Sequence, residues 1–262
     1  ITPGIKTKFE WTDPRSRDHH LVTPTNFQKA FEEGRADIYR ACEWGQIRRT
    51  FDNPGGPIVA RRPTMAYQGI FVRPDSPFNA PITLAGQSVG VQFHQGSHYA
   101  TLSMLEGFLP REDINVVHAG TVPERYESLM DGEVVGATLM EPWVTLAEKQ
   151  GCKLLTGTYY QGTENASPEM SREVFGALMR AVKKAVDLIN ADKKKYIHYM
   201  LDEMPDKYAR QLDVDDFYLP RLRYVDPEPY SRDEFERAYN WMRAWDLVGP
   251  DGTFEGLVDN RI

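Results

Sequence analysis

Three short stretches carry side chains able to do chemistry. The first is Arg40-Ala-Cys-Glu-Trp44, where a guanidinium, a thiol, a carboxyl and an indole fall almost side by side. A nearby arginine favours thiolate and a nearby glutamate opposes it, so Cys42 reads either as a soft nucleophile or as a small buried apolar side chain. Arg40 suits a planar anion, which a guanidinium grips through two parallel bonds, or an ion pair with Glu43 or Asp37. The second stretch is Ser88-Val-Gly-Val-Gln-Phe-His-Gln-Gly-Ser-His98, a buried strand followed by a glycine turn. Ser97 then reads as the N-cap of a helix with Leu102, Leu105 and Leu109 on one face. A helix that starts directly after a strand aims free N–H groups and the positive end of its dipole above the strand end, so Gly96 and Ser97 form a place for an anion. His94 and His98 flank that turn and titrate near neutrality, where they can donate to an anion or serve as structural imidazoles. The third stretch is Met140-Glu-Pro-Trp143. There Glu141 would select a cationic or hydroxylated group, or sit favourably at a helix start, and Trp143 would form an apolar wall. Tyr67 and Gln68 precede a further strand and are read as polar groups beside a hinge, or as parts of a purely mechanical one.

The elements that position these residues follow from periodicity. Residues 4–11 alternate apolar and polar, 13–20 form a polar loop, and a short helix over 26–33, capped by Thr25, ends at Gly34. Strands are expected over 36–42, 58–60 and 67–73, with Pro54-Gly-Gly-Pro57 as a turn. From residue 82 to 155 strands alternate with helices (strands at 88–93, 114–118, 134–139 and 153–155), which predicts a parallel sheet. Beyond Gly162 the pattern changes to helices over 171–190, 193–203 and 231–246 with no strand between them; the last opens on a Ser231–Glu234 capping box.

Composition bounds the function. A chain of 262 residues, 41% hydrophobic and 26% charged, holds ample core for one large domain or two lobes. A net charge of −7 argues against a general nucleic-acid surface. No apolar run reaches the length of a membrane span. The two cysteines, Cys42 and Cys152, fit no zinc or redox spacing, and His19-His20 in a loop is too little for a metal, so no metal and no cofactor are expected.

The order FEEGRADI, YQGIFVRPDSP, LAGQSVGV with its Gly-Ser helix start, then GEVVGATLMEPWVTLAEKQGCKLL, resembles the type II periplasmic-binding-protein superfamily. The branch it looks like holds the solute receptors of ABC importers for nitrate, sulfonates and taurine, together with thiamine-pyrimidine-synthase-like proteins. The resemblance covers roughly residues 4–248, nearly the whole chain. It implies an α/β fold of two lobes with a ligand cleft between open sheets, lacking the strand and helix that usually precede the GIKTKFEW-like segment. Lobe I is expected to comprise 1–68 with 163–262, including the C-terminal helices, and lobe II 69–162. The implied function is binding of a small anionic organic acid or sulfonate, with an ABC permease as partner and a periplasmic or extracellular location. Its ligand-binding residues would be Arg40, Cys42, Glu43, Trp44, Tyr67, Gln68, Gly96, Ser97, His98, Glu141 and Trp143.

The same superfamily branch includes sulfinate desulfinases, whose IFVRDDSP-like phrase is similar to IFVRPDSP here and whose arginine falls near Arg40. That likeness implies the alternative of a desulfinase-like lyase or a hydrolase of a small acid, working through Cys42, Arg40 and His98. Their nucleophilic cysteine lies on the first strand-end loop, however, and Cys42 does not match it.

Overall fold

A computed structural model of the chain describes residues 24–262. The expected strand over 4–11 and the loop over 13–20 lie outside the described residues. In chain order the elements are α1 (Pro24–Glu32), β1 (Ile38–Cys42), α2 (Glu43–Asp52), β2 (Ile58–Val72), β3 (Val89–Val91), α3 (Gly96–Leu105), β4 (Val116–His118), α4 (Val122–Met130), β5 (Gly136–Met140) and α5 (Trp143–Lys149). They continue with β6 (Lys153–Ala166), α6 (Arg172–Ala191), α7 (His198–Asp202), α8 (Asp206–Ala209), β7 (Arg223–Tyr224), α9 (Arg232–Ala244) and α10 (Phe254–Leu257).

The chain divides into two compact units. The first takes in the described chain up to Met65, with Gln161–Lys193 and Arg223–Ile262. The second comprises Ala66–Tyr160 and Lys194–Leu222. Strands β2 and β6 each contribute residues to both.

In the first unit β1 pairs antiparallel with the end of β6, Ile38 opposite Ala166 and Cys42 opposite Gly162, while β7 pairs antiparallel with β2 at Thr64 and Met65. Val59, Ala60 and Ala166 pack against Phe175 and Met179 of α6. The capping box expected at Ser231 is present, its hydroxyl and the Glu234 carboxylate satisfying each other's backbone N–H groups, and α9 buries Phe235, Ala238, Tyr239 and Met242.

In the second unit β3 lies between β4 and β5 and is parallel to both, whereas β2 runs antiparallel to β5, with Gln68 opposite Met140 and Ile70 opposite Thr138. The sheet is therefore mixed, not parallel as expected. The βα alternation orders only β3, β4 and β5; β2 is laid down before that block and enters in the opposite sense. Val89, Val91, Ala137, Leu139, Ile70 and Phe71 are fully buried, each large aliphatic contributing about 1.5–3 kcal/mol by leaving water.

Three further expectations change. Strand β2 is continuous where two strands were read; it runs through Pro63, whose carbonyl accepts from Val225 N. Strand β6 extends well past residue 155, and the short β7 interrupts a region read as strand-free. Residues 194–222, read as part of lobe I, pack on the second unit instead. Lys207 and Tyr208 hold Glu127 at 2.7 and 2.5 Å, and the Tyr208 ring meets Trp143 at 4.8 Å.

Candidate functional site

The β1–α2 corner of the first unit gathers Arg40, Cys42, Glu43 and Trp44, and each is already committed. Cys42 is the last residue of β1 and the N-cap of α2, its Sγ accepting from Gly45 N at 3.3 Å. The side chain is buried, and burial pushes the thiol up to about 12, against the opposing pull of the Gly45 N–H and the Arg62 charge. Near neutral pH it is a thiol. Arg40 pairs with neither Glu43 nor Asp37; the register sets it opposite Glu164, with Nε 3.0 Å from Oε1. Glu164 is fully buried, which raises its pKa despite Arg40 and Arg62. Gly162 makes room for Arg62 here, since a Cβ would come within 2.7 Å of the Arg62 Nε. Glu43 accepts from Tyr230 Oη at 2.9 Å, and burial raises its carboxyl to about 7, with the Tyr230 bond lowering it and Glu234 raising it. Trp44 is buried against Trp241, ring centroids 5.7 Å apart.

In the second unit the residues separate by sheet face. Side chains alternate along a strand, so Gln68, Ile70, Thr138 and Met140 share one face while Tyr67, Gly69, Leu139 and Glu141 point to the other.

On the Tyr67 face, Glu141 is spoken for at both oxygens. Oε1 meets Arg221 at 2.6 Å, and Oε2 accepts from Thr145 N at 3.1 Å and Thr145 Oγ1 at 2.8 Å. The Arg221 guanidinium also reaches Glu148 at 2.6 Å and lies 5.0 Å from the Tyr67 ring centroid. Tyr67 is edge-on to Tyr159 at 5.2 Å. Trp143 is buried between Tyr126 at 5.2 Å and Tyr208 at 4.8 Å. Arg221 organises this face, and sequence spacing gave no signal for it because it comes from a segment far down the chain.

On the Gln68 face stands α3. Its N-cap is Gln95, not Ser97; the Ser97 hydroxyl instead accepts from Gln92 N at 2.9 Å and so closes the strand-to-helix corner. The reason is geometric: His94 takes a left-handed backbone at φ 61°, which turns the chain so that the helix starts at Gly96. The helix is buried nearly all round rather than along one leucine face. No side chain caps it, and the N–H groups of Gly96 and Ser97, in the first turn, have no carbonyl one turn earlier to bond. Around this start the rings of His98 and His118 lie 5.2 and 5.4 Å from the half-exposed Phe93 ring, and His94 and His98 are 5.7 Å apart. His98 Nδ1 accepts from His94 N at 3.3 Å and His118 Nδ1 from Phe93 N at 3.2 Å. Each neutral imidazole therefore carries its proton on Nε2. His118 escaped the sequence reading because only the parallel register of β3 and β4 brings it to Phe93.

Among the described residues no three His, Cys, Asp or Glu converge as a metal site, and no helix is long and apolar enough to cross a membrane.

No protein-family model matches the chain, and no curated protein matches it in sequence. Solved structures do. The alkanesulfonate-binding protein SsuA from Xanthomonas axonopodis pv. citri, bound to MOPS, superposes with a TM-score of 0.75 over 91% of this chain and 85% of its own, at 16% identity. A Candida albicans protein described as having the generic periplasmic binding protein fold gives 0.69 over 91% and 84%, at 11% identity. The desulfurization enzyme DSZB gives 0.53 over 84% and 82%, at 18% identity. Likeness of this extent at such low identity is a likeness of backbone, and on it this chain has the α/β fold of the type II periplasmic binding proteins.

Proposed function

We propose that the protein is a solute-binding protein for a small anionic organic acid or sulfonate, delivering it to an ABC permease outside the cytoplasmic membrane. One observation carries the reading: the uncapped start of α3 at the C-terminal end of β3. Two N–H groups, the helix dipole and a nearby imidazole there suit an anionic head group. The likeness to an alkanesulfonate-binding protein supports the same ligand class.

The likeness to DSZB keeps an enzyme in view. Cleaving a carbon–sulfur bond by nucleophilic attack asks for a thiolate, and the buried, cap-forming Cys42 does not supply one near neutral pH. Binding without turnover is favoured on that ground.

The test is a thermal-shift screen of the protein against small sulfonates, sulfinates, carboxylates and nitrate, repeated with Gly96→Val. A β-branched residue at the first position of α3 crowds the approach to its N–H groups. The expected outcome is stabilisation by at least one anion and affinity about tenfold weaker, or worse, in Gly96→Val. No stabilisation by any anion, or unchanged affinity in the variant, would sink the proposal.

A further inference from the structure

The buried amide of Gln68 is a feature of the α3 face that the anion site does not absorb. Its side chain is 2% exposed, and its Oε1 has no hydrogen-bond donor among the described residues. A buried carbonyl oxygen left without a donor is costly, and such orphans in native proteins call for an explanation. The register says where this one lies. Thr138 on the α3 face touches Thr101 of the helix through their hydroxyls, and Thr101 donates back to Ser97 O, one turn nearer the helix start. One helical turn advances about 5.4 Å, and two strand residues advance about 6.6 Å. The step from Thr101 to Ser97 thus matches the step from Thr138 to Met140. Gln68 is directly opposite Met140 on the same face, one strand spacing away, about 4.8 Å. The orphaned acceptor and the first turn of α3 therefore share a face and a level within the second unit.

We infer that Gln68 selects the ligand: its Oε1 accepts a hydrogen bond from a hydroxyl carried beside the anionic group, so the substrate class is a short hydroxylated acid or hydroxyalkanesulfonate. The inference rests on the anion site proposed above and narrows it. A hydroxyl is favoured over an ammonium because a neutral carbonyl gives a cation no counter-charge. The carboxylate at this strand end, Glu141, is turned to the other face and occupied by Arg221 and Thr145. An alkyl analogue of the same size leaves Oε1 buried and unsatisfied, and a site holding an unpaired buried polar group discriminates against such a ligand.

Calorimetric titration of the full chain with 2-hydroxyethanesulfonate, ethanesulfonate and 2-aminoethanesulfonate tests this. The hydroxy compound should bind about tenfold more tightly than ethanesulfonate, with the amino compound no better than the alkyl one. In Gln68→Met, close in volume and apolar, the preference should vanish while ethanesulfonate affinity holds or improves. In Gly96→Val all affinities should fall with their ratio kept. Equal affinities in the wild-type protein, a preference for the amino compound, or discrimination surviving Gln68→Met each overturn the inference. So does failure of all three compounds in a protein that binds another small anion. The wild-type ratio decides alone should the variant fail to fold. Failure of every anion in the screen removes the proposed function itself, an outcome distinct from losing the hydroxyl preference.

Discussion

The corner at Cys42 and the corner at Gln92 are built from the same parts, a strand running straight into a helix, yet they are finished differently. At the first corner the chemically promising side chains have partners inside their own unit: the thiol caps α2, Arg40 forms an ion pair with Glu164, and Glu43 accepts from Tyr230. At the second, the helix starts without a cap, and a buried amide oxygen on the same face has no donor. Residue types alone point to the first corner as the chemical one, since it holds the thiol and the guanidinium. Commitment reverses the ranking: a group already bonded within the protein has little left for a ligand, while an unspent helix terminus has. Each prediction below strikes at one side of that contrast.

The largest effect is expected on the Tyr67 face, where Arg221 is the keystone. Its side chain and that of Glu141 are 10% and 7% exposed. Removing one member of such a pair leaves a buried charge unmatched and typically costs about 3–5 kcal/mol. Arg221→Met should lower the urea midpoint of the second unit accordingly, and a double variant with Glu141→Gln should recover much of the loss. Independent, additive losses would mean that Glu141 is not held by Arg221 and has capacity for a ligand, which would blur the contrast.

This pair also marks the limit of what the sequence discloses. The βα order of residues 82–155 was legible because buried strands and amphipathic helices write their period into the chain, and the Ser231 capping box was legible because it is local. The Arg40–Glu164 and Arg221–Glu141 pairs join residues distant in sequence, and only strand register or the packing of residues 194–222 brings them together. The N-cap of α3 was misplaced for a related reason. Ser97 has the right chemistry for a cap, but its hydroxyl had a better use in bonding Gln92 N. The sequence marks Gln68 only by its position before a strand, beside an expected hinge; its unsatisfied oxygen is a property of burial, which periodicity cannot express.

The next effect is a pH dependence from the first corner. Burial raises the Glu43 carboxyl to about 7 in the folded protein, against 4.5 for an ordinary glutamate. A carboxyl raised in the folded state binds its proton more tightly there, so the associated stability is fully present below about 4.5 and is lost as pH rises through 7. Stability should thus fall by an amount on the order of 2 kcal/mol between pH 5 and 8. Glu43→Gln, which keeps the shape and removes the titration, should flatten that slope without altering anion affinity. Denaturant midpoints across the range, with wild type and variant side by side, check it. A flat wild-type profile would show that the Tyr230 hydroxyl alone keeps Glu43 ionised.

The smallest effect is expected at Cys42, and it bears most directly on whether anything is turned over. Serine is at least as good an N-cap as cysteine and can keep the bond from Gly45 N, while its shorter, more polar oxygen fits less well in a buried site. Cys42→Ser should therefore shift stability by no more than about 1 kcal/mol and leave anion binding untouched. Alkylation of the wild-type thiol is the sharper measurement. With the thiol held up to about 12 by burial, reaction near neutral pH should be slow, limited by transient opening, and accelerated by denaturant rather than by modest increases in pH. Rapid alkylation at neutral pH, blocked by a bound anion, would place a reactive thiolate beside the ligand. Loss of a small sulfinate only in the presence of Cys42, with binding preserved in Cys42→Ser, would then make the first corner the chemical one after all.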